Sequence, residues 1–192
     1  ALGNIVALTL ITVAGWPVPA VIAATLACGA LVGLVNGVLV GYLRLRAFLT
    51  TLVTLIIVRA IVDMMLLKYS VAIAAGFVDS DLWYYFGEGD VLGVPFSVAT
   101  ALVLALAAHL ILSRSRVGWH VLAVGGSRRS AHNVGIPVRR VICMTYVVSG
   151  TLAALSGVLF ASRLGGAGAD TGVGLEIAAL TAAVLGGNSL GG

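Results

Sequence analysis

The polar residues that could do chemistry in this chain lie mostly inside long apolar runs. Arg59 and Asp63 are four residues apart in the run 47–67, a spacing that puts both on one face of a helix, where they can neutralise each other. Either charge alone would cost roughly 2.5–3.5 kcal/mol on membrane-insertion scales. The pair is interpreted either as a polar lining for a solute path or as an ion pair that locks helices together.

Three further polar residues are candidates for the same path or for the bundle that surrounds it. Asn36 lies beside a row of glycines and could hydrogen-bond across that row. Glu176 opens the last apolar run, where it could cap the helix or face the outer mouth of the path. Asn188 follows two glycines and is expected in a turn or a helix break.

Motifs of the common hydrolases are absent from the sequence. It contains no GxxxxGK[ST] phosphate loop, no HExxH, no GxSxG and no paired carboxylates in a polar setting. Cys28 and Cys143 each lie inside an apolar run, with no spaced set of Cys and His residues. We therefore expect no catalytic residue, no metal site and no enzymatic activity.

Composition predicts an all-α, polytopic transmembrane helix bundle. Of 192 residues, 60% are hydrophobic and 9% are charged, whereas soluble domains average roughly 25% charged residues. A membrane-spanning helix needs about 20 apolar residues, and four runs reach that length: 19–43, 47–67, 94–112 and 141–162. A first run ending near Gly15 and a last run, 175–190, are shorter. We expect about six membrane segments in one transmembrane domain, 1–192, truncated at both ends with its first and last segments incomplete.

Charged residues in the connections predict the orientation, because short cytoplasmic loops retain Arg and Lys. The connections 44–46 and 113–140 carry arginines and no acid, whereas 69–93 carries four acids and no base. Most of the basic residues lie in the connections between apolar runs and form no long basic face, which argues against nucleic-acid binding despite the net charge of +4. We place 44–46 and 113–140 in the cytoplasm and 69–93 outside. The aromatic residues 83–86 are interpreted as an interfacial anchor or as the core of a folded loop.

Small residues recur every four positions in two of the runs. The first series contains Thr25, Gly29, Gly33, Gly37 and Gly41, and the second contains Ser149, Ala153, Gly157 and Ala161. A row of small side chains lets a neighbouring backbone approach closely. Both rows are predicted to mark tight helix contacts, within the chain or across a dimer.

The connection 113–140 contains signals for a short helix. Ser127 is a good N-cap after Gly125 and Gly126, while Gly135 can end the helix and Pro137 prevents its continuation. Such a helix could serve as a docking element for a soluble partner, although a basic loop that only fixes topology is the simpler interpretation.

The sequence also resembles a known family. The blocks GWHVLAVGGSRRSAHNVGIPVRRV, YVVSGTLAALSGVLFASRLGGAGADTGVGLEIAALTAAVLGGNSLGG and GALVGLVNGVLVGYLRLRAFLTTLVTLIIVRA are similar to the permease subunits of bacterial ABC sugar importers of the ribose and xylose type. The resemblance implies a permease dimer in the inner membrane, served by ABC ATPase subunits that bind the ATP and by an extracytoplasmic solute-binding protein. The chain itself would need no cofactor.

The resemblance also implies roles for individual residues. It makes the segment from Gly125 to Gly135 the coupling helix that contacts the ATPase, and it matches Arg59 and Glu176 to an arginine and an acid of the family. Two acids of the family's coupling segment are replaced here by Arg128 and Arg129. We expect a permease that translocates a monosaccharide or a similar small polar solute. A secondary transporter or channel that needs no ATPase is the alternative, and a purely structural membrane subunit is a third possibility.

Overall fold

The structure, a computed structural model, describes residues 1–75, 81–91, 93–164, 172 and 174–187. Within these ranges the chain is helical apart from one short antiparallel β ladder. Its elements, in chain order, are α1 (Leu2–Thr12), α2 (Val18–Gly41), α3 (Ala47–Ala75), α4 (Asp81–Glu88), β1 (Asp90–Val91), β2 (Val94–Pro95), α5 (Phe96–Arg114), α6 (Arg116–Gly126), α7 (Arg128–Asn133), α8 (Val138–Leu164) and α9 (Leu175–Leu185).

Four of these helices, α2, α3, α5 and α8, are long and apolar enough to cross a membrane. They coincide with the four long apolar runs, and α1 and α9 are the two shorter apolar helices. Helix α3 continues to Ala75, eight residues beyond the predicted end at 67. The reason is that Lys68, which interrupts the apolar run, is itself a good helix former.

Helices α2 and α8 make the closest contact in the described part of the chain. Gly29, Gly33, Gly37 and Gly41 of α2 are all buried, and each of them faces α8. A Cβ atom placed on Gly37 would lie 2.9 Å from the Cα atom of Cys143, and one on Gly33 would lie 2.9 Å from the Cα atom of Val147. These glycines therefore let the two backbones touch.

On α8 the contacting row differs from the predicted one. Ser149 and Ala153 are exposed, whereas Gly150 contacts Gly29 and Gly33, and Ala154 is buried. Small residues occupy two adjacent rows on α8, so their spacing in the sequence could not distinguish the row that faces α2. Within the chain, Gly150 and Ala154 therefore form the first half of the contacting row, and a contact of Ser149 and Ala153 across a dimer stays a prediction. Gly157 packs against Gly3 of α1, and Ala161 is buried.

One hydrophobic core lies where α1 and α4 pack against α8. Ile5 and Leu8 of α1 are packed with Val158 and Trp83, and all four are almost fully buried. Helix α4 belongs to the segment 69–93 that was predicted as a connection. Trp83 joins the core and Phe86 packs edge-on against Phe96 at 5.0 Å, whereas Tyr84 and Tyr85 are exposed. Trp83 and Phe86 thus agree with the interpretation as a folded core, and an interfacial anchor formed by Tyr84 and Tyr85 stays a prediction.

The outer helices present apolar faces that no described residue covers. Helix α5 has no buried residue, and neither has α9. Exposed side chains on α3 include Met64 and Leu67, which are 71% and 87% exposed. Such faces are costly in water but not in lipid, where the solvent is itself apolar.

Replacement of Gly33 by alanine is expected to lower the thermal stability of the protein in detergent. The added methyl group would collide with the backbone at Tyr146 and Val147, and overpacking of this kind costs about 1–3 kcal/mol. The measurement is the melting temperature of the purified variant.

Gly125→Ala is the matched control, because a Cβ atom there meets nothing within 4 Å and lies in a helix. It should leave the melting temperature unchanged or raise it slightly, as a helical Gly→Ala replacement does. Equal melting temperatures for Gly33→Ala and the wild type would refute the close contact.

Candidate functional site

The connection 113–140 consists of two helices, α6 and α7, joined by a single residue, Ser127. Helix α6 was not predicted from the sequence. Its N-cap is Ser115, whose hydroxyl accepts a hydrogen bond from the Gly118 N–H at 3.1 Å. The signal was present in the spacing of Val117, Val121 and Val124, which is that of one helix face.

Helix α7 spans Arg128–Asn133 and has specific structures at both ends. At its start, the Ser127 hydroxyl accepts a hydrogen bond from the Ser130 N–H at 3.3 Å. At its end, Gly135 adopts a left-handed φ of 81°, the Ile136 N–H donates to the Ala131 carbonyl and the Gly135 N–H donates to the His132 carbonyl, both at 3.0 Å. This pair of bonds is the Schellman motif, for which glycine is the favoured residue.

One side of α7 anchors it to the rest of the protein. Ala131 is 2% exposed and packs in a small cluster with Val124 of α6 and Val141 of α8. Ile136, which follows the Schellman glycine, packs against the same cluster. Because α7 is fixed through this cluster, its other side is left exposed, with the side chains of Arg128, Arg129 and His132.

The arginines at the start of α7 do not stabilise the helix. The N-terminal end of a helix carries a partial positive charge, so cations there are unfavourable by a few tenths of a kcal/mol to about 1 kcal/mol. Arg128 and Arg129 nevertheless occupy the first turn of α7, which contains no acid. Helix formation does not explain these two residues, which leaves two physical reasons for them: the retention of arginine in cytoplasmic connections and a contact outside the described chain.

Helix α7 lines a cleft together with the end of α2 and the start of α8. The cleft has a volume of about 1000 Å³ and includes the end of α2, residues of the following turn, and the start of α8. We call it the arginine cleft, because its lining contains Arg44, Arg128, Arg129, Arg139 and Arg140. The structure therefore brings the two basic connections, 44–46 and 113–140, to the same end of the molecule.

The polar residues predicted inside the membrane fall into two places. Arg59 is half-buried on α3, and Glu176 lies in the first turn of α9. Both lie near Ala1, at the start of α1. Asp63 is exposed on α3, and its pairing with Arg59 stays a prediction. Asn188 lies outside the described residues.

Asn36 has a partner on a neighbouring helix. The Thr54 hydroxyl of α3 donates a hydrogen bond to the Asn36 side-chain oxygen at 2.7 Å. The bond therefore joins α2 to α3 and does not cross the glycine row to α8. This contact assigns Asn36 to the packing of the bundle.

Sequence reasoning overlooked Asn4, which is the most deeply buried amide among the described residues. It is 1% exposed on α1, and neither its side-chain oxygen nor its side-chain nitrogen has a hydrogen-bond partner within the described chain. An unsatisfied buried polar group costs about 1–3 kcal/mol. No pattern around residue 4 distinguishes it from an ordinary helix residue.

Four membrane-length helices, with lipid-compatible outer faces and a basic end, define a multi-pass protein of the inner membrane. The chain belongs to the family described as "Branched-chain amino acid transport system / permease component", whose model matches residues 1–192. It is therefore a component of a membrane permease.

Curated relatives in this family are named as permeases for sugars. The chain is 37% identical to the ribose import permease protein RbsC of Escherichia coli (strain K12) over 172 residues, which is 89% of this chain and 53% of that protein. It is 34% identical to the L-arabinose ABC transporter permease protein AraH of Azospirillum brasilense over 192 residues, 100% of this chain and 55% of that protein. It is 35% identical to the galactofuranose transporter permease protein YtfT of Escherichia coli (strain K12) over 180 residues, 93% and 51% of the two chains.

The chain thus spans about half the length of the curated relatives it matches. No solved structure matches it.

The double substitution Ser127→Ala and Gly135→Ala is expected to loosen α7. Loss of the cap costs about 0.5–2 kcal/mol, and a left-handed alanine costs about 1–2 kcal/mol relative to its relaxed conformation. Amide hydrogen exchange over residues 128–134 should become at least fivefold faster.

The control is Ser130→Ala, which removes a serine of the same helix that caps nothing. Exchange in this control should stay within about twofold of the wild type. If both variants exchange alike, the two end structures do not hold α7.

Proposed function

We propose that the chain is the membrane-spanning permease part of an ATP-driven ABC importer for a monosaccharide or a similar small polar solute. Family membership supplies the permease class. The printed names of the relatives supply the solute class, because they specify ribose, L-arabinose and galactofuranose. The observation that carries the ATP-driven part is α7, a short helix fixed at both ends whose exposed side carries Arg128 and Arg129.

In this proposal α7 is the coupling helix that contacts an ABC ATPase subunit. The ATPase binds and hydrolyses the ATP, so the permease itself needs no cofactor. A force applied to α7 would reach α8 through the cluster of Ala131 and Val141. It would then reach α2 through the glycine contacts, because two backbones in contact cannot slide without separating. The α2–α8 pair would therefore move as one rigid unit.

The remaining partners follow from the same proposal. An extracytoplasmic solute-binding protein would deliver the solute, and a second copy of the permease would complete the path. Arg59, which is half-buried, and Glu176, which is exposed, lie near the start of α1 and are proposed to line that path. The arginines of α7 imply that the contacting surface of the ATPase is acidic, because like charges across an interface are unfavourable.

Charge reversal of the coupling arginines is expected to uncouple transport. In the intact permease with its cognate ATPase, Arg128→Glu with Arg129→Glu should reduce ATPase association and solute uptake at least tenfold, because two opposite charges in an interface become like charges. Co-purification of the ATPase and uptake of radiolabelled ribose or arabinose into proteoliposomes measure the two effects.

The matched control is Arg114→Glu with Arg116→Glu, two exposed arginines of the same connection that do not lie on α7. This control should retain assembly and uptake. If the α7 variant also retains both, the coupling role is wrong. Uptake by the wild type without any ATPase, driven by an ion gradient, would favour a secondary transporter instead.

A further inference from the structure

The arginine cleft contains three arginines, Arg44, Arg139 and Arg140, besides the two that are proposed to contact an ATPase. Five of the eleven basic residues of the chain line it. Its lining within the described residues contains no Asp or Glu, and no ion pair of these arginines occurs there. The N-terminal end of α8 also opens on the cleft at Val138, and its partial positive charge adds to theirs. A site with this excess of positive charge is suited to binding an anion.

The cleft lies at the level where the spanning helices leave the apolar part of the membrane. Val40 and Gly41 form the last turn of α2, and Arg139 and Arg140 lie in the first turn of α8. Helix α2 has 24 residues, about 36 Å at 1.5 Å per residue, whereas the hydrocarbon layer is about 30 Å thick. The ends of α2 therefore reach the headgroup region, where lipid phosphates lie.

Arg44 occupies the cleft in a backbone conformation that arginine rarely adopts. Its φ is 57°, in the left-handed region, and it is the one non-glycine residue with a positive φ in the described chain. This conformation costs an L-residue about 1–2 kcal/mol, and glycine would adopt it freely. Arg44 lies in the turn that ends α2, where the Leu45 N–H donates to the Leu39 carbonyl at 3.2 Å. An arginine in place of glycine there puts a guanidinium group on the cleft, and residues in such conformations cluster at active sites, ligand clamps and switch regions.

We propose that the arginine cleft binds the phosphate headgroup of an anionic phospholipid from the adjoining leaflet. Arg44, Arg139 and Arg140 hold the phosphate, since guanidinium groups bind phosphate oxygens through paired N–H donors. The acyl chains stay in the bilayer beside α2 and α8. The site differs from the coupling surface of α7, because it uses the membrane side of the cleft and needs no ATPase.

The test is lipid binding to the intact permease, purified in detergent without its ATPase. Phosphatidylglycerol is titrated against phosphatidylcholine, and bound lipid is counted by native mass spectrometry. Phosphatidylglycerol should bind at least tenfold more tightly. Each basic residue near a membrane surface contributes about fivefold, so Arg44→Gln, Arg139→Gln and Arg140→Gln together should weaken phosphatidylglycerol binding roughly 100-fold.

Two comparison variants separate the cleft from general surface charge and from misfolding. Arg114→Gln with Arg116→Gln removes two exposed arginines that do not line the cleft and should change binding less than twofold. The triple Arg→Lys replacement at 44, 139 and 140 keeps the charge and should bind within about fivefold of the wild type.

Four results would overturn the proposal. One is equal binding of phosphatidylglycerol and phosphatidylcholine. Another is that replacing Arg114 and Arg116 weakens phosphatidylglycerol binding as much, per arginine, as replacing the three cleft arginines. The third is displacement of phosphatidylglycerol by inorganic phosphate at equal concentration, which would assign the cleft to a free anion. The fourth is binding of phosphatidylglycerol by the triple Arg→Gln variant as tightly as by the wild type.

Discussion

The backbone contact between α2 and α8 is the constraint on which the rest of the described structure depends. Four glycines of α2 face α8 and leave no room for a side chain at most of these positions. Lipid gives apolar helices no hydrophobic reason to associate, so close van der Waals contact has to hold them together. Once the two antiparallel helices are fixed side by side, the end of α2 and the start of α8 must lie together. This places Arg44 beside Arg139 and Arg140.

The position of helix α7 depends on the same contact between α2 and α8, through α8. Its anchor, Ala131, packs against Val141 in the first turns of α8, so the position of α8 decides where α7 projects. The Ser127 cap and the Gly135 Schellman turn keep α7 helical although it has only six residues, too few for a helix to persist alone in water. Local hydrogen bonds therefore keep α7 helical, and the distant contact between α2 and α8 positions it.

Much of this could be predicted from the sequence, because the relevant signals are local. The four spans follow from run length, and the ends of α7 follow from Ser127 and Gly135. The contacts between helices were harder to predict from the sequence. Helix α8 has two adjacent rows of small residues, and only its packing selects Gly150 over Ser149. Asn36 bonds to Thr54 because α3 lies beside it, which no spacing indicates. The strained Arg44 and the unpartnered Asn4 are visible only in three dimensions.

Disulfide cross-linking between α2 and α8 tests the central contact most directly. A Cβ atom on Gly41 would lie 3.6 Å from the Cβ atom of Ile142, within the 3.5–4.5 Å of natural disulfides. In a background with Cys28 and Cys143 replaced by alanine, Gly41→Cys with Ile142→Cys should cross-link rapidly under mild oxidation in membranes. Gly41→Cys with Met144→Cys, an exposed position two residues further along α8, should not. Cross-linking through 144 but not through 142 would contradict the packing of α2 against α8 described above.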